Sequence, residues 1–143
     1  LVRRMEPDWT IDGRLLLDLP ARLREAQAAF SATGGLHAVG LFTRDGDLVA
    51  AFEDVGRHNA MDKLVGSRLA ADALPLANSI VLLSGRASFE LVQKAGAAGV
   101  PLLAAIGAPS SLAIELAEQA GITLVAFLRD GAFNIYTHGA RLR

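Results

Sequence analysis

Cysteine is absent from the 143 residues, and with it go disulfides, thiolate metal sites and cysteine nucleophiles. Net charge is equally scarce: 14 Lys and Arg against 15 Asp and Glu leave −1. Without a broad basic field, binding of nucleic acid by bulk electrostatics is excluded, and any phosphate site must be local. No apolar run reaches the roughly 18 residues of a transmembrane helix, and the opening Leu1, Val2, Arg3, Arg4 lacks the apolar region of a signal peptide. The expectation is a soluble, cytoplasmic protein without a membrane partner. The chain starts on Leu1 and not on methionine, as expected of a piece of a longer protein. What it has in abundance is apolar side chain, 52% of residues, enough for the core of one domain of ordinary size.

Residues 1–19 mix charge with Pro7, Gly13 and the short run Leu15, Leu16, Leu17. They read as a linker, or an incomplete N-terminal segment, leading to a packed strand or turn. Residues 20–143 read as one α/β domain. Helical period in residues 20–30 ends at the break 31–35. Two strand-like runs, 36–43 and 48–55, flank Arg44, Asp45, Gly46 and Asp47; Asp-Gly between apolar runs predicts an antiparallel hairpin. Residues 57–73 form a helix with Ala60, Met61 and Leu64 on one side. Strands at 80–83, 101–106 and 123–128 then alternate with helices at 88–98 and 111–120, the pattern of a parallel sheet with right-handed crossovers. Asp130-Gly131 turns the chain into a last antiparallel strand, 132–137. The sheet is therefore mixed.

This topology predicts a rim. Strands starting at 48, 80, 101 and 123 that run parallel bring their C-terminal ends to one edge, and the oppositely directed first strand brings its beginning, with Thr33, Gly34, Gly35 and His37, to the same edge. Open α/β sheets bind ligands there. The densest chemistry on this rim is the junction 53–63, with Glu53, Asp54, Gly56, Arg57, His58, Asp62 and Lys63 where a strand becomes a helix. Backbone amides, a helix N-terminus and side-chain donors converge at such a junction on phosphate or a reacting group.

Each candidate has a plain role beside its functional one. Ser84, Gly85, Arg86, Ala87 and Ser88 follow a buried strand and open a helix: glycine permits close backbone approach, serine caps, and Arg86 can fork two donors onto phosphate. The plain role is a capped helix beside a solvated arginine. Ala108, Pro109, Ser110 and Ser111 open another helix and have capping alone as their plain role. Gly34 and Gly35 either wrap a ligand or end a helix. His37 and His58 suit general acid-base or metal chemistry, and equally a structural hydrogen bond. His138 belongs to a solvated polar tail. Glu53 and Asp54 either orient a base or hydroxyl, or pair with Arg57.

The helix, hairpin and three strand-helix repeats resemble the cytidine deaminase fold, which implies a three-layer α/β/α sandwich. In that fold an H-x-E motif supplies one zinc ligand and the catalytic glutamate, and P-C-x-x-C supplies two more ligands. Here those positions read His58-Asn59-Ala60 and Ser84-Gly85-Arg86-Ala87-Ser88. The proton carrier and the thiolates are missing, so the resemblance implies a fold reused as a binding platform. A metal-dependent deaminase built on His37, His58 and one carboxylate is the enzyme rival.

Several longer motifs, in order, resemble the formate dehydrogenase accessory sulfurtransferase family, FdhD: Thr33-Gly34-Gly35 with His37, the run 53–63, Ser84-Gly85-Arg86 with residues 88–94, Ala108-Pro109-Ser110-Ser111-Leu112, and Thr123-Leu124-Val125 with Phe127, Tyr136 and Thr137. The resemblance runs from about residue 20 to the C-terminus. It implies a cytoplasmic, homodimeric sulfurtransferase. Such proteins take persulfide sulfur from a cysteine desulfurase and deliver it to the molybdenum of the bis-molybdopterin guanine dinucleotide cofactor, for use in formate dehydrogenase. The family carries sulfur on a C-x-x-C segment upstream of the matched region. This chain has no such cysteine and no catalytic residue of that kind, so the resemblance implies the cofactor-binding domain, with GDP as a mimic of the cofactor. The family's loop between the last two strands matches Phe127, Leu128, Arg129, Asp130, Gly131 and Ala132; Phe127 either stacks on the base or fills the core. With them the expected binding set is Ser84, Gly85, Arg86, Ser88, Ser110, Ser111, Gly34, Gly35, His37, Glu53, Arg57 and His58, with no metal. The binding-class rival is a guanine-nucleotide chaperone module without chemistry.

Overall fold

A computed structural model describes Met5, residues 9–30 and residues 37–143, with backbone alone for residues 28–30. Thr33, Gly34 and Gly35 lie outside the described residues. A short 3₁₀ helix, Gly13–Asp18, leads into helix α1, Leu19–Phe30. Strands β1 (His37–Thr43) and β2 (Leu48–Asp54) follow, then α2 (Arg57–Ala70) and β3 (Ser79–Leu83). The chain continues through α3 (Phe89–Ala97), β4 (Leu102–Ala105), α4 (Ser111–Ala120), β5 (Thr123–Arg129) and β6 (Ala132–Thr137). The strands form one six-stranded sheet in the order β2-β1-β3-β4-β5-β6.

The pairing follows from the connections. β1 is antiparallel to both β2 and β3, β3, β4 and β5 are parallel, and β6 returns antiparallel to β5. Thus β2, β3, β4 and β5 all point the same way, and their ends, with the starts of β1 and β6, occupy one rim as expected. Asp130 (φ 56°) and Gly131 (φ 73°) both take left-handed backbone, the conformation that a two-residue hairpin turn requires.

Alternation along the strands splits the core in two. Val39, Leu41, Val81, Leu83, Leu103 and Leu124 face Ala60, Met61, Leu64, Leu91 and Ala117 of α2, α3 and α4. Ala38, Phe42, Ile80, Leu82, Leu102 and Val125 face Leu19 and Leu23 of α1 together with Trp9, Ile11 and Leu16. These two layers around the mixed sheet make the expected three-layer α/β/α sandwich. Of the segment read as a linker, the described part belongs to the second layer: Trp9 Nε1–H donates to Ala77 O at 2.9 Å, and Ile11 pairs with Leu142. One helix of 12 residues leaves much of a six-stranded face bare, and this segment covers apolar surface that water would otherwise meet. Three other local expectations change. α2 stops at Ala70 and not at 73, with Asp72 in left-handed backbone. Asp54 pairs with Lys63 Nζ (3.0 Å), and Arg57 makes no ion pair among the described residues. His138 is held to Glu118, its Nε2 lying 2.6 Å from Oε2, because the reversal after β6 carries it back against α4.

Candidate functional site

The rim is sewn together by backbone. The Ala38 N–H donates to Ser84 Oγ (2.8 Å) and the Ser84 N–H to Ala38 O (3.0 Å), fastening the end of β3 to β1. The Ile106 N–H donates to Leu83 O, the Gly107 N–H to Gly85 O (2.9 Å), and the Phe127 N–H to Gly107 O (3.1 Å). Gly107 must be glycine for this seam: a Cβ there would lie 3.0 Å from Gly85 C and O and 3.1 Å from Arg86 N. His37 sits at one end of the row, with Nδ1 3.5 Å from where a Cβ on Gly85 would project.

Beyond the seam the loops after β3 and β4 continue as a short parallel bridge. The Ala87 N–H donates to Ala108 O and the Ser110 N–H to Ala87 O, both at 3.0 Å. The bridge sets two helix starts side by side. Ser88 Oγ accepts from the Leu91 N–H at 3.3 Å and Ser110 Oγ from the Ala113 N–H at 3.1 Å, so each is the N-cap of its helix. Ser111 is exposed in the first turn of α4. Between these starts and that of α2 lies a cavity of about 350 Å³ lined by Arg57, Arg86, Ala87, Ser88, Ala108, Pro109 and Ser110. Helix N-termini and guanidinium groups around one cavity favour an anion, phosphate above all.

The other side of the seam belongs to the β5–β6 turn. Phe127 has φ 52°, uncommon for a non-glycine residue, and it sits in a bulge between Ala126 and Arg129. The bulge lets Ala126 and Leu128 face opposite layers of the core. Phe127 packs partly against the helical core, and the Arg129 guanidinium lies 5.2 Å from its ring centroid, a cation–π contact. Leu128, Arg129, Asp130 and Gly131 line a second cavity of about 230 Å³ with Arg24, Pro20, Ala21, Leu17 and Ile106. Across Leu17 an open depression of about 630 Å³ is bounded by Asp12, Gly13, Arg14, Phe133 and Arg143. Its Arg14 is committed to Asp12, with two guanidinium nitrogens on the carboxylate.

Arg86 and Arg129 therefore occupy one rim but line different cavities, on the two faces of the sheet edge. Glu53 and His58 line neither. Glu53 accepts from Gln27 Nε2 (3.4 Å), and its carbonyl accepts from Lys63 Nζ (2.8 Å). The His58 carbonyl accepts from Lys94 Nζ, which also pairs with Asp62 at 2.8 Å. Asp54 anchors the junction: the Gly56 N–H and Lys63 hold its carboxylate down at about 2. Among the described residues no three His, Asp or Glu side chains gather as metal ligands, and no helix among them is long and apolar enough to cross a membrane. Sequence reasoning missed Arg24. Helical spacing places it beside Leu23, but nothing in the sequence says which strand end α1 overlies.

The comparisons with known proteins agree with this architecture. The model of the FdhD/NarQ family matches residues 2–143. A sulfur carrier protein FdhD from Streptomyces avermitilis is 56% identical over 142 residues, covering 94% of this chain and 50% of that protein. One from Sulfolobus acidocaldarius is 46% identical over 141 residues, covering 99% and 56%. The chain spans about half the length of the curated relatives it matches. Among solved structures, a formate dehydrogenase accessory protein from Desulfotalea psychrophila superposes with a TM-score of 0.84 at 32% identity, over 95% of this chain and 60% of that one. A guanine deaminase from Nitrosomonas europaea shares the fold at TM-score 0.58 and 17% identity, over 86% and 81%. That likeness bears out the deaminase-like fold.

Proposed function

Because this chain belongs to the FdhD/NarQ family, we propose that it is the cofactor-binding part of a sulfur carrier that serves formate dehydrogenase. In this reading the rim holds the guanine dinucleotide end of the molybdenum cofactor. Arg86 meets phosphate charge together with the N-termini at Ser88 and Ser110. Arg129, joined by Arg24, does so beyond the seam. Phe127 and the Arg129 guanidinium over it offer a flat surface to the base. Glu53 and His58 shape the side nearer the molybdenum. A persulfide needs a thiolate, and these 143 residues contain none, so the sulfur-bearing cysteine belongs outside them. A cysteine desulfurase as donor and a cytoplasmic homodimer complete the proposal.

The seam is the observation that carries this reading. Hydrogen bonds from Gly107 to Gly85 and from Phe127 to Gly107 fix the Arg86 and β5–β6 loops relative to each other through the backbone, which lowers the ordering cost of binding. The donor set suits a nucleotide diphosphate: Arg57, Arg86 and the starts of α3 and α4 line one cavity. Titration calorimetry with GDP tests it. The chain should bind GDP, and Arg129→Ala and Arg86→Ala should each weaken binding by about tenfold or more, the effect of removing one charge-assisted contact. Unchanged affinity in both variants would refute the assignment.

A further inference from the structure

Arg57 is the least accounted-for cation of the rim. It occupies the first turn of α2, whose N-cap, Gly56, has no side chain with which to cap it. Its Nε is fully shielded from solvent, and no group among the described residues accepts from it. A buried charged donor left unpaired is costly, and folded proteins satisfy nearly all such groups. The carboxylates nearest in sequence are engaged elsewhere: Asp54 with Lys63, the Gly56 N–H and Asn59, Glu53 with Gln27 Nε2, and Asp62 with Lys94. Arg57 lines the 350 Å³ cavity together with Arg86 and the capped starts of α3 and α4. Two arginines thus line one concavity, neither has an ion-pair partner among the described residues, and the third helix start is Arg57's own.

We infer that Arg57 and Arg86 form a two-guanidinium clamp for a diphosphate on the helical side of the seam, distinct from the β5–β6 turn. A single tetrahedral phosphate satisfies one fork. Two forks and the amides around them suit a longer, more highly charged anion, so the clamp selects diphosphate over monophosphate. That the diphosphate belongs to a guanine dinucleotide rests on the function proposed above; the clamp itself does not.

Calorimetric titration of the chain with inorganic pyrophosphate, and separately with orthophosphate, tests the clamp directly. Pyrophosphate is expected to bind about tenfold more tightly than orthophosphate or better. Arg57→Gln keeps the aliphatic stem and removes the charge; it should weaken pyrophosphate binding about tenfold, as should Arg86→Gln. Arg57→Lys keeps the charge but loses the fork and should recover only part of the affinity. Arg68→Gln, in the last turn of α2 and away from the rim, should leave pyrophosphate affinity within about twofold. Thermal melts of each variant separate lost binding from lost folding. Equal affinity for the two anions, or an Arg57→Gln protein that melts and titrates as the wild type does, overturns the clamp. GDP competing with pyrophosphate in the wild type supports a nucleotide as the source of the diphosphate. GDP binding that is insensitive to Arg57→Gln and non-competitive with pyrophosphate overturns the clamp's part in nucleotide recognition and leaves the function standing on Arg129. Pyrophosphate binding without any GDP binding does the reverse.

Discussion

Replacing Gly107 by alanine strikes the seam at its centre. The added Cβ would lie 3.0 Å from both Gly85 C and O and 3.1 Å from Arg86 N, whereas comfortable carbon contacts begin at about 3.5 Å. All three neighbours are backbone, held by the Gly107 to Gly85 bond (2.9 Å) and by the bridge from Ala87 to Ala108 (3.0 Å). They cannot swing aside as a side chain would. Overpacking of this kind costs about 1–3 kcal/mol, which in a domain of this size lowers the melting temperature by roughly 4–12 °C. The displaced loop carries Arg86, so GDP affinity should fall as well. Gly66 provides the opposite sign. It lies in the interior of α2, and a Cβ there meets nothing within 4 Å, so Gly66→Ala should stabilise by about 0.5–1 kcal/mol through helix propensity alone without changing GDP affinity. Differential scanning calorimetry and GDP titration on both variants settle the matter. A Gly107→Ala protein that melts within about 1 °C of wild type and binds GDP equally well would show that the seam does not hold the rim.

Three further outcomes are expected. Gly121 ends α4 with φ 76°, and a Cβ there would collide with Met5 O; Gly121→Ala should cost on the order of 2 kcal/mol or more in urea unfolding, from left-handed backbone and steric clash together. Ser88→Ala and Ser110→Ala each remove an N-cap bond and should each cost about 1 kcal/mol by the same assay. Asp54 has a folded-state value of about 2 against an ordinary 3.8. Its carboxylate therefore contributes stability that is fully present above 3.8 and is lost as pH falls through about 2. The stability gap between wild type and Asp54→Asn should be constant near neutrality and close over that acid window, and a gap unchanged down to the acid end would refute the role given to the Gly56 N–H and Lys63.

Much of the rim was legible because its elements carry local signals. The apolar run at 80–83 and the periodicity of 111–120 correspond to β3 and α4, and Asp130-Gly131 marks a turn whose two residues take positive φ. Once those elements are ordered along the chain, crossover handedness brings the strand ends together. Other features depend on which groups compete for the same space. Asp54 was a candidate partner of Arg57, but the Gly56 N–H and Lys63 reach it. No periodicity announces the bulge at Phe127, since a left-handed residue in a strand reflects the pull of its N–H toward Gly107. Arg24 enters a cavity with Arg129 only because α1 lies across that end of the sheet.

By itself, then, the order of apolar runs, Asp-Gly turns and serine-capped helices determined a mixed α/β sheet with its glycine and arginine loops at one edge, because these signals act through neighbours a few residues apart. Tertiary structure alone decided that the edge divides at Gly107 into two cavities, that Arg57, its Nε shielded, lines one of them with Arg86, and that Trp9, Ile11 and Leu16 belong to the core. Those outcomes turn on contacts between residues tens of positions apart, where close packing and hydrogen-bond competition select one arrangement among many that local preference allows.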